Sequence, residues 1–154
     1  MARRGVRAKG RYRPLMWAHQ PEFNTYSEEG EPWFGFEAVR DLEGLPPEIL
    51  LVPLFGHTFG HCGVAVRGAE GWLLHAGDSY FDPREVKGPV WQCAPVVRLF
   101  QMVVTMDTRA RFYNQARLRS FTAAHPEVRV FCAHNPWELE DCQAARAERL
   151  PAAA

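Results

Sequence analysis

Three short apolar runs in this chain each end in a residue that can carry charge or bind a metal. "ILLVPLFGH" ends at His57, "GWLLHAGD" at Asp78 and "VRVFCAH" at His134. Apolar runs this short, bounded by glycine, proline or polar residues, read as buried strands rather than helices. Side chains just past the ends of neighbouring strands converge on one edge of a sheet, where binding and catalytic groups concentrate. The spacing therefore predicts a fold that brings two imidazoles and one carboxylate to a common edge.

The rest of the chain is read around those runs. "RPLMWAH" suggests a first strand, followed by the turn-rich, aromatic "NTYSEEGEPWFG". The prolines before "EILLVPLF" mark the start of a buried strand. "CGVAVRG" and "GWLLHAGD" are separated by a glycine-bounded turn and predict a hairpin. From Pro95 onward, Val97, Phe100, Val103 and Val104 recur at helical spacing. Asp107 is placed to cap a second helix running to about Ala124. Val128, Val130 and Cys132 then alternate as in a strand, and Asn135 followed by Pro136 predicts the start of a closing helix. Strands followed by helix, strand and helix predict an α/β layer arrangement, a mixed sheet covered by helices.

Composition excludes several classes. With 47% apolar and 23% charged residues, the chain is neither a disordered polymer nor a run of membrane spans. Eighteen basic residues balance eighteen acidic ones, so no overall field favours nucleic acid or an anionic membrane. Residues 1–13 depart from that balance, with six basic side chains and no acid. Such a start is compatible with a nucleic-acid arm, a transit segment or a frayed terminus. A transit segment is normally longer and serine-rich, which favours a flexible segment over residues 1–14. Residues 15–150 are expected to form one domain, and 151–154 a tail. Cys62, Cys93, Cys132 and Cys142 form no C-x-x-C pair, which predicts reduced cysteines and a cytoplasmic setting.

The elements "GHTFGH", "LLHAGD" and "FCAH", in that order and at that spacing, resemble the C-terminal half of the metallo-β-lactamase-fold hydrolases. The resemblance runs from about Leu51 to Trp137. It implies a partial αββα sandwich and a hydrolase that attacks an ester, thioester, lactone or similar bond with metal-bound hydroxide. It also implies up to two zinc ions and a small-molecule substrate. His57 and His134 would each hold one metal, and Asp78 would bridge both and orient the nucleophile. His61 would support the ligands from behind, although a strand-start histidine bonded to backbone is an equal reading. His19, Trp33 and Phe34 lie in a region that lines the substrate pocket in such hydrolases, against the alternative of aromatic packing beneath a loop.

One element of that family pattern is missing. The His-x-His-x-Asp-His motif that supplies the remaining ligands occurs nowhere in this sequence, and residues 1–50 contain a single histidine, His19. Two protein ligands per metal predict weak zinc binding, since catalytic zinc ordinarily keeps three. The alternative reading is therefore a non-catalytic remnant that acts as a binding or interaction module. A half-built sandwich also predicts self-association, or a partner supplying the other half. His75 is expected in the core or on the hairpin surface, and His125 as a solvated helix cap. Arg109, Arg111, Arg117 and Arg119 are expected along a solvated helix face.

Overall fold

A computed structural model describes residues 10–147 of the chain. Its main sheet has four strands, β3 (Ile49–Pro53), β4 (Cys62–Gly68), β5 (Gly71–His75) and β6 (Arg129–Phe131), hydrogen-bonded in that order. The pairs β3–β4 and β4–β5 are antiparallel, while β5–β6 is parallel, so the sheet is mixed. A parallel neighbour cannot be reached by a tight turn and needs a crossover. Here the chain between His75 and Arg129 supplies it with helices α1 (Pro95–Val104) and α2 (Thr108–Ala124).

The register explains why the runs read as strands. Leu50 pairs with Ala65, Ala65 with Leu74 and Leu74 with Val130, so one buried row crosses all four strands. Successive strand residues face opposite sides. The other face accordingly carries Leu51, Val64, His75 and Phe131, each half-buried. Val52, Leu54, Ala76 and Cys132 extend the buried side to the strand ends that bear the candidate site. This is the α/β arrangement expected from the sequence.

Two readings of the segment before β3 need correction. "RPLMWAH" is not a strand, because Pro14–Trp17 forms a 3-10 turn whose side chains are all exposed. Pro14 lacks the N–H a ladder needs, which suits the first turn of a helix better than a strand. The aromatic segment after it holds a ribbon the sequence reading missed, β1 (Glu31–Trp33) paired with β2 (Phe36–Ala38). It joins the main sheet through a bridge between Val39 and Leu51. Trp33 and Phe36 pack from it onto Phe121 of α2, with ring centroids 5.5 Å away in each case.

Helix α1 lies with its polar side inward. Its one fully buried side chain is Gln101, while Val96, Leu99, Phe100, Met102 and Val103 are exposed. Gln101 turns inward because a buried acceptor awaits it. The Glu85 carboxylate, itself fully buried, accepts hydrogen bonds from Gln101 Nε2 at 2.7 Å, Phe81 N at 3.0 Å and Asp82 N at 3.2 Å. Gln115 of α2 adds a fourth, at 3.3 Å, and Arg111 donates to Gln101 Oε1. Arg111 was expected on a solvated face; it is 3% exposed and belongs to this network. Burial holds its guanidinium below its usual pKa, against the opposing influence of Glu85.

Replacing Glu85 with alanine strands several buried donors at once, so urea unfolding should show a loss of about 3–5 kcal/mol. In the apolar row, Leu74→Ala should cost about 2–5 kcal/mol in the same experiment.

Candidate metal centre

The site begins with a turn held from outside. Gly56 N donates to Thr58 O, and Gly56 O accepts from Met106 N at 3.1 Å and Asp107 N at 2.9 Å. Asn114 of α2 donates to Phe55 O at 2.8 Å. Gly56 has φ +140°, and a Cβ there would lie 2.5 Å from the Arg111 backbone. Only glycine permits this approach, and it seats His57 against the start of α2.

His61 occupies the other side. Its Nδ1 lies 2.7 Å from Leu54 O, and its Nε2 accepts the Asp78 N–H at 2.9 Å. The acceptor role at Nε2 places the ring proton on Nδ1, where it is donated to Leu54 O. Burial pushes the His61 pKa down, and the hydrogen bond to Leu54 opposes it. Gly77 stands directly against this ring at φ +57°, and a Cβ there would come within 2.6 Å of His61 Nε2. The histidine and the Gly77–Asp78 pair are thus one mechanical unit, with His61 orienting the backbone of Asp78 rather than its carboxylate.

The Asp78 carboxylate then meets one imidazole at each oxygen. His57 Nε2 is 3.2 Å from Oδ2 and His134 Nε2 is 3.1 Å from Oδ1. The three side chains that end the apolar runs do converge. His57 is enclosed, with 9% of its side chain exposed, whereas His134 is 59% exposed and Asp78 29%, so the cluster opens on the His134 side. Burial, and next to it the Arg11 guanidinium, push the His57 pKa down to about 4 against the pull of Asp78. His57 is therefore neutral at pH 7, and its contact with Asp78 is not an ion pair.

The loop on each side is pinned separately. Asn135 caps helix α3 (Pro136–Ala147), accepting from Glu138 N at 3.0 Å. The Glu138 carboxylate accepts from Cys132 N at 3.1 Å and from Tyr80 OH at 3.0 and 3.1 Å, tying the end of β6 to the loop after Asp78. Lys87 neutralises it. Phe81 walls the cluster, its ring centroid 4.9 Å from His134, 6.0 Å from His57 and 5.7 Å from Phe100 of α1. Sequence reasoning missed Phe81, Glu138 and Arg11, since an isolated aromatic, acid or arginine carries no motif.

The remaining candidates fall elsewhere. His75 stacks edge-on against Phe131, and His125 contacts Phe34, Phe121 and Glu127 at the end of α2. Trp33 is a core residue, 5% exposed. Phe34 lines a cavity of about 400 Å³ with Tyr113, Arg117 and His125, and His19 is exposed. All four cysteines are free, and no described helix is long and apolar enough to cross a membrane.

The donor set is short of a metal site. A carboxylate bridging two ions would leave each with one histidine and one oxygen, where catalytic zinc takes three protein ligands. Among the described residues, no group of three or more His, Cys, Asp or Glu side chains is arranged to hold a metal ion.

No family model matches the chain. A probable metallo-hydrolase of Mycobacterium bovis is 33% identical over 132 residues, covering 85% of this chain and 42% of the relative. A probable metallo-hydrolase of Mycobacterium tuberculosis matches with the same figures. Among solved structures, an N-acyl homoserine lactone hydrolase with N-hexanoyl-L-homoserine at its catalytic metal centre is 18% identical. Its TM-score is 0.43, with coverage of 68% of this chain and 37% of the other. A B. thuringiensis protein with N-decanoyl-L-homoserine at its active site matches with the same identity, score and coverage. Over most of its length the chain is thus similar to proteins named as probable metallo-hydrolases. It spans 42% of the length of those relatives.

Gly77→Ala should disrupt the unit built on His61, through both the clash and the positive φ, costing at least about 2 kcal/mol. His61→Ala leaves the Asp78 N–H without its partner and should cost about 1–3 kcal/mol. Denaturant titration of both variants checks this, and equal stability of His61→Ala and the parent chain would contradict the role given to His61.

Proposed function

We propose that this chain forms part of a metal-dependent hydrolase, the part that holds the carboxylate between two metal positions. The observation that carries this reading is the Asp78 carboxylate with a histidine Nε2 at each of its oxygens, 3.2 and 3.1 Å away. Two donors bound to one tetrahedral zinc stand roughly 3.3 Å apart. The spacing on each side of Asp78 is close to that value, which supports the reading of one ligand pair per metal. The mycobacterial relatives named as probable metallo-hydrolases support the same class.

In this reading His57, Asp78 and His134 are the chain's contribution to a zinc centre, and further donors come from outside it. Zinc, when bound, supplies a water acidic enough to act at neutral pH and polarises a carbonyl. The chain's own residues do the positioning. His61 and Gly77 set the Asp78 backbone, the Asn135 cap sets His134, and Phe81 with Phe100 offers an apolar flank on the open side. The substrate in this reading is an ester, thioester or lactone of a small molecule. The short donor set favours a second reading, a non-catalytic binding module, in this chain by itself.

The two readings separate in a zinc-supplemented screen of thioesters and lactones, run with the chain alone and with an added polypeptide carrying His-x-His-x-Asp-His. The expected result is zinc-dependent turnover only in the mixture, falling at least about 100-fold with Asp78→Asn. Zinc stoichiometry near zero in the mixture, without turnover, would leave the binding module.

A further inference from the structure

Arg11 reaches the cluster from the start of the described chain. Its Nη1 donates to Val104 O, the last residue of α1, at 2.9 Å, and its Nη2 contacts His57 Nε2. A helix C-terminus presents carbonyls and partial negative charge, which anchors a guanidinium. The second contact is the informative one. Arginine has no acceptor, so His57 Nε2 must offer its lone pair. The same lone pair stands 3.2 Å from Asp78 Oδ2, itself an acceptor. Two acceptors at this distance with no proton between them repel, and the guanidinium on Nε2 offsets that repulsion.

We propose that Arg11 is a built-in counter-cation for the His57–Asp78–His134 cluster, seated on the His57 lone pair that a divalent ion would need, so that its docking and metal binding exclude one another. The first half stands on the contacts alone; the exclusion rests on the reading of His57 and Asp78 as metal donors. A zinc ion bound by His57 lies along the Nε2 lone pair at about 2.0–2.1 Å. Nη2 already contacts that nitrogen, and a guanidinium cannot share its lone pair with a dication.

A double-mutant cycle in chelator tests the first half, with Arg11→Ala, Asp78→Asn and their combination followed by denaturant unfolding. Asp78→Asn should destabilise the chain when Arg11 is present and be neutral or stabilising when it is absent. Additive effects would overturn the counter-cation, since a purely structural tie to Val104 would not couple to the charge at position 78. Arg11→Gln gives the same cycle if the alanine variant folds poorly. The exclusion is read from visible absorption on titrating Co2+, where Arg11→Ala should bind at least tenfold more tightly than the parent chain. Equal affinity overturns the exclusion. Failure of both to take up Co2+, with the cycle still non-additive, overturns the metal reading of the cluster and the exclusion with it, while sustaining the counter-cation.

Discussion

The candidate site depends on one imidazole that is not a candidate ligand. His61 spans from Leu54 O to the Asp78 N–H, joining the turn after β3 to the turn after β5 across the strand between them. Because both of its ring nitrogens are committed, its tautomer and orientation are settled. Gly77 gives it room, and the Asp78 backbone is held where its side chain meets His57 and His134. Loss of this bridge would leave each strand intact and the convergence undone.

Around that bridge the protein uses buried polar groups where a simpler fold would use hydrocarbon. Glu85 gathers the loop after Asp78 with Gln101 of α1 and with Gln115 of α2, and Arg111 closes the network. Such networks are costly when partly satisfied and rigid when full. The consequence is directional. Helix α1 is turned with Gln101 inward, leaving its apolar residues outward and Phe100 beside Phe81.

Much of the sheet was legible because strand burial has a period of two and leaves its mark in the sequence. The runs ending at His57, Asp78 and His134, the hairpin between β4 and β5 and the caps at Asp107 and Asn135 are local signals, each read from a few adjacent residues. The β1–β2 ribbon was not legible, since its strands are three residues long and too short for alternation to show. The apolar repeat in α1 announced a helix, but periodicity alone does not say which face meets the core.

What the sequence determined by itself was the residue types at the candidate site, the strands that carry them and the absence of the His-x-His-x-Asp-His element. Those follow from residue type and spacing, which need no contacts to be read. Only the tertiary structure decided that the carboxylate receives one histidine at each oxygen, that His61 serves the backbone, that Arg111 is buried and that Arg11 reaches His57. These are pairings between residues many positions apart, where the geometry of strand ends and helix termini, not local preference, selects the partner.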